Sequence, residues 1–118
     1  MSAPTYKATR ARLDCRGVIK QGMGITPSQA EVVDGLAALG FVGTVELRRY
    51  RDQDGRWVYA DKMSVVARCW VSAKRSHQVE ITVGRRGSVA GYYQCYGRTR
   101  GLLSKTRMQF LTNLEYHL

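Results

Sequence analysis

The chain has 118 residues, 44% of them hydrophobic and only two of them proline, which suits one ordinary globular domain able to bury a core without disulfides or metal. Nineteen Lys and Arg against nine Asp and Glu leave a net charge of +10. That field attracts polyanions, and no apolar run approaches membrane-spanning length, so nucleic acid leads the list of partners and a membrane is not expected.

Residues 1–25 read as an arm or short strands. "YKATRARL", residues 6–13, alternates loosely and offers Lys7, Arg10 and Arg12 to solvent, while glycines at 17, 22 and 24 punctuate the next stretch too often for a helix. In "TPSQAEVVDGLAALG", Thr26 can cap, Pro27 suits the first helical position and Gly40 suits a left-handed stop. Ala30, Val33, Leu36 and Ala37 then form the core stripe of a helix over 27–39, with Glu31 and Asp34 facing outward.

From Phe41 the period changes from helical to two. The pattern predicts a strand over 43–51, a hairpin at Asp54-Gly55, a partner strand over 56–61 and a further strand through Val65–Val71. "SAKRSH" reads as a turn before Val79, Ile81 and Val83. "GRRGSVAGYYQCYGRTRG", residues 84–101, reads as one last strand with arginines beyond both ends, about 40 Å apart at 3.3 Å per residue. On it Tyr92, Gln94 and Tyr96 share one face, and Val89, Gly91, Tyr93 and Cys95 the other. Ser104 is the expected cap of a terminal helix over 104–117, with Phe110, Leu111, Leu114 and Leu118 as its apolar stripe. The expected fold class is α+β: an antiparallel meander of four to five strands across residues 43–96, with both helices on one face, in one basic domain spanning 1–118.

Cys15, Cys69 and Cys95 are odd in number and widely spaced, so neither a disulfide framework nor a zinc site is expected, and a reducing cytoplasm fits best. "MSAPTYKATR" lacks the apolar core of a secretory signal. His77 and His117 lie in no recognised nucleophile or metal motif, and no P-loop or G-x-G-x-x-G occurs. The chain is therefore expected to be non-catalytic and to need no cofactor.

Arg outnumbers Lys fourteen to five, and Arg forks onto phosphates and stacks on bases. Between Glu80 and Glu115 there is no acidic residue, whereas Arg85, Arg86, Arg98, Arg100, Lys105 and Arg107 all fall there. With Tyr92 and Tyr96 as stacking candidates, these are the expected binding residues for RNA or another single strand. The competing account makes the tyrosines cross-strand packing partners and the arginines a solvated rim. A secondary cluster is Arg10 and Arg12 in the arm and Arg48, Arg49 and Arg51 before the first hairpin, where Glu46, Asp52 and Asp54 offer local ion pairs. Trp57 and Trp70 are expected as core or interface anchors. Two other readings remain: a viral or mobile-element inhibitor or adaptor, held on the acidic or nucleic-acid-facing surface of a larger nucleic-acid-processing complex, and a metal-free ribonuclease using Arg98, Arg100 and Tyr96.

Overall fold

The structure, a computed structural model, describes residues 6–13 and 24–118. The expected turns around glycines 17 and 22, and Cys15, lie outside the described residues. The described chain runs β1 (Tyr6–Leu13), α1 (Pro27–Ala38), β2 (Val42–Arg51), β3 (Trp57–Tyr59), β4 (Lys62–Trp70), β5 (Ser76–Gly84), β6 (Val89–Cys95), β7 (Arg98–Lys105) and α2 (Arg107–His117). All described strands form one antiparallel sheet in the order β1-β2-β4-β5-β6-β7. β3 continues the line of β4 alongside the far half of β2, and its register differs by two residues, taken up at Ala60 and Asp61. The α+β class holds, with more strands than the four to five expected.

Both helices start for the same local reason. Thr26 and Thr106 each accept the backbone N–H of a glutamine three residues on, and Gln29 and Gln109 return the bond to the backbone N–H of the cap. The first helix ends as read from the sequence, with Gly40 at φ +92 just past the last turn. The second starts later than expected, at Arg107 and not near Ser104, because residues 98–105 pair with β6 as an extra strand.

That strand exists because Tyr96 and Gly97 close a two-residue turn. Both have positive φ, +51 and +79, and Cys95 pairs directly with Arg98, the geometry of a tight hairpin whose twist suits antiparallel strands. Tyrosine is an unusual first residue for such a turn, since a left-handed backbone costs a residue with a Cβ roughly 1–2 kcal/mol. Here the Tyr96 hydroxyl donates to Leu118 O (2.9 Å), and its ring stands edge-on to His77 with centroids 4.5 Å apart. Opposite the hairpin, a bulge between Val89 and Gly91 shifts the β6–β7 register by one residue. Gly91 is at φ +126, and a Cβ there would lie 2.4 Å from Glu80 O, so only glycine fits.

The core lies between the helices and one face of the sheet. Val32, Val33, Leu36 and Ala37 of α1 and Phe110 and Leu114 of α2 are buried with Val45, Leu47, Met63, Val65, Val79, Ile81, Val83, Val89 and Tyr93. Burying each of these larger side chains is worth about 1.5–3 kcal/mol, so the covered face supplies the main stabilisation. Ala30, expected in the α1 stripe, is half-buried; Val32 and the fully buried Gln29 take its place. Gln29 also crosses to the sheet, donating from Nε2 to Val83 O (3.0 Å), while the Thr26 hydroxyl donates to Arg85 O (2.6 Å). These bonds fix the start of α1 against the end of β5.

Gln29→Ala leaves Val83 O without this donor and opens the helix cap, for an expected loss of about 1–3 kcal/mol. Phe110→Ala, a cavity in the apolar layer, is expected to cost about 3–5 kcal/mol. Urea unfolding midpoints check both; a Gln29→Ala chain as stable as wild type would contradict the tether.

Candidate nucleic-acid interface

Alternation along the strands separates the predicted residues into two populations. The pairing Val66↔Glu80↔Tyr92↔Gly101 and the pairing Arg68↔Gln78↔Gln94↔Thr99 each run across the face away from the helices. The neighbouring pairs Val79↔Tyr93↔Arg100 run across the covered face. Tyr93 is 2% exposed and Tyr92 41%, as the expected alternation requires. Arg98 and Arg100, opposite the buried Cys95 and Tyr93, therefore belong to the helix side of the edge strand, where they are solvent-exposed. They do not share a face with Tyr92.

Tyr96 also departs from the expected arrangement. Its left-handed backbone takes it off the strand, and its hydroxyl is committed to the C-terminal end of α2. The paired platform of Tyr92 and Tyr96 is thereby lost. The expected 40 Å separation of two arginine clusters along one strand fails for the same reason: the chain doubles back. Lys105 pairs opposite Val89, and the side chain of Arg107 comes beside Gly87, bringing both to the end of the sheet that holds Arg85 and Arg86.

At that end several cations already have protein partners. Arg85 donates from Nη1 to Gly24 O (3.1 Å) and lies over the Tyr59 ring at 5.5 Å. Arg107 forms an ion pair with Glu31, joining α2 to α1. Arg86 and Lys105 are exposed. Arg49 and Arg51 do not follow the expected strand ion pairing; their guanidinium groups lie over Trp57 at 5.8 and 5.0 Å, and Arg49 also over Tyr59 at 6.0 Å. Trp57 is thus an anchor for arginines. Asp52 instead closes the β2–β3 loop, accepting the N–H groups of Asp54 and Arg56 (2.9 Å each).

The uncovered face of the sheet carries Arg10, Arg12, Arg48, Lys62 and Arg68 among threonine, serine and glutamine. Glu46 lies between Arg10 (2.6 Å) and Arg48 (2.9 Å), whose hydrogen bonds hold its carboxyl below the ordinary range. Glu80 accepts from the Tyr92 hydroxyl, which pushes that phenol's pKa up and keeps its proton on the phenolic oxygen. Each of these two carboxylates is therefore occupied, and Arg12 and Arg68 remain exposed on the same face.

A cleft of about 340 Å³ opens at the end of this face where the β4–β5 loop approaches the β6–β7 turn. Arg68, Trp70, Lys74, Arg75, Gln78, Gln94 and Tyr96 line it with Val71, Ser76, His77 and Gly97; none of these is acidic. Trp70 is 55% exposed, which removes it from the expected core role. The stretch "SAKRSH", expected only as a turn, supplies Lys74, Arg75, Ser76 and His77 to this cleft. The available signal was Trp70 sharing the strand face of Arg68, directly before a loop with two adjacent cations. A larger, shallower hollow of about 490 Å³ follows β1 and β2 past Arg10, Arg12 and Thr44, with no aromatic among its described lining residues.

The end of the cleft is held by His77. Its Nδ1 accepts the Tyr96 N–H (3.3 Å), and burial pushes the imidazole's pKa below its ordinary value. Cys69 and Cys95 belong to the same side of the sheet, and burial raises both thiols, which keeps them protonated and weakly nucleophilic. Among the described residues no cluster of three His, Cys, Asp or Glu side chains is placed to hold a metal, and no helix is long and apolar enough to cross a membrane.

No family model, curated protein or solved structure matches this chain.

The depressed His77 pKa has a definite sign. On acidification the unfolded chain takes up the proton first, so the contribution of His77 is complete above about pH 6.5 and is lost as pH falls through the lower folded-state value. Glu46 acts in a separate window below about pH 4.5. Between about pH 7.5 and about pH 5.5, wild-type stability is expected to fall more steeply than that of His77→Gln. Thermal unfolding of both chains across that range checks this; parallel curves would contradict it.

Proposed function

We propose that this protein is a small, non-catalytic nucleic-acid-binding protein that takes RNA or another single strand on the uncovered face of its sheet. The observation that carries the reading is the cleft beside Trp70, where Arg68, Lys74, Arg75 and two glutamines converge with no carboxylate among the described lining residues. Phosphate contacts need cations that are not already neutralised, and unpaired bases need an exposed aromatic face with amide groups nearby. This end of the sheet offers both. The net charge of +10 supplies the long-range attraction that brings a polyanion to it.

A duplex is a poorer match. Reading the major groove requires a helix or ribbon that projects into it, whereas α1 carries Glu31 and Asp34 on its outer side and both helices bury their apolar stripes on the sheet. A broad sheet with cations along it and aromatic side chains standing from it suits a strand laid flat. The reducing cytoplasm remains the proposed setting, in keeping with free Cys69 and Cys95.

Binding of a short single-stranded RNA, measured by fluorescence anisotropy at several salt concentrations, tests the reading. The logarithm of affinity is expected to fall linearly with that of salt, and Arg68→Ala or Arg75→Ala should each lower the slope by about 0.7. Arg98→Ala, on the other side of the sheet, should leave the slope unchanged. Affinity independent of salt, or no binding, would sink the proposal. RNA shortened during the incubation would favour the ribonuclease instead, and partners from a lysate that survive nuclease treatment would favour a protein surface.

A further inference from the structure

The geometry points to a base-reading subsite in the cleft: we infer that one unpaired nucleobase stacks on Trp70 and has its hydrogen-bonding edge read by Gln78 and Gln94. The inference rests on the nucleic-acid reading above and goes beyond it, since a basic face alone binds all sequences alike.

Two observations and one property of amides carry it. Trp70 ends β4 and stands 55% exposed at the cleft, an exposure that costs a folded chain hydrophobic stabilisation and leaves the indole free to stack. Gln78 and Gln94 are direct cross-strand partners, so both amides rise from one point of the sheet, in the row beside the Trp70–Ser76 pair. An amide presents a donor and an acceptor side by side, the pattern that pairs with a base edge; a platform without such groups stacks any base equally.

The surroundings fit the same occupant. Lys74 and Arg75 stand on the loop at the rim, where a phosphate attached to the stacked nucleoside would meet them, and Arg68 adjoins Gln78 on the floor. The Gln94 amide nitrogen also approaches Gly97 O (3.5 Å), which turns its carbonyl oxygen away from the hairpin as an acceptor. The volume of about 340 Å³ is at the lower end of small-ligand sites, which run from roughly 300 to 1,000 Å³, and suits one nucleotide and not a longer segment. Tyr92, lying roughly 16 Å from Trp70 by strand spacing, is then the place where a neighbouring part of the strand passes.

The test uses short oligo(A), oligo(C) and oligo(U) with the full chain, in a Trp57→Phe background so that Trp70 is the sole tryptophan. Binding is expected to quench Trp70 fluorescence, and one homopolymer should bind roughly tenfold or more tighter than the weakest. The Gln78→Ala, Gln94→Ala double variant should level that preference while keeping the salt slope. Trp70→Ala should weaken all three, and Trp70→Phe should restore most of the loss; unfolding midpoints near wild type show that the variants fold. Salt-dependent binding with unquenched Trp70, or equal affinities for all three homopolymers, would overturn the subsite while leaving the basic face as the interface. No binding to any of them would overturn both.

Discussion

Successive side chains of a strand point to opposite faces, and among the described residues both helices cover the same face of the sheet. Everything else follows from that division. The buried residues of β2, β4, β5 and β6 alternate along each strand, so α1 and α2 pack on one side and the residues between them are delivered to the other. Gln29 secures the arrangement by joining the cap of α1 to the backbone of β5. The irregularities respect it as well: the break between β3 and β4 is two residues long and preserves the faces, and the bulge at Gly91 falls at the edge pair of strands.

The division also sorts the charge. On the covered side Arg49 and Arg51 stack on Trp57, Arg49 also on Tyr59, and Arg107 is paired across the helices, while Arg10 and Arg48 on the other face neutralise Glu46. A count of basic residues therefore overstates the cations open to a partner. Three of the exposed cations, Arg68, Lys74 and Arg75, meet Trp70 at one cleft, and this grouping, more than the net charge, gives the proposed interface its place.

Much of the fold was legible in the sequence because its signals were local. Thr26, Pro27 and Gly40 bounded α1 to within a residue, and period-two alternation marked β2, β4, β5 and β6. β7 was missed because its start depends on Tyr96 adopting a left-handed backbone, which only contacts with Leu118 and His77, distant in sequence, support. That one turn moved Arg98 and Arg100 away from the tyrosine face and delayed α2. The face of Tyr92 and Tyr93 was readable from period two; the cleft was not, because it joins a loop at 71–75 to a turn at 96–97, and no periodicity reports which loops meet.

The central claim, that the uncovered face is where a nucleic acid lies, is tested most directly by mapping amide chemical shifts during titration with a short single-stranded RNA. The account predicts changes concentrated at Arg68, Trp70, Lys74, Gln78, Tyr92 and Gln94, with α1 and the outer side of α2 unmoved. Changes confined to Arg98, Arg100 and the helices would contradict it.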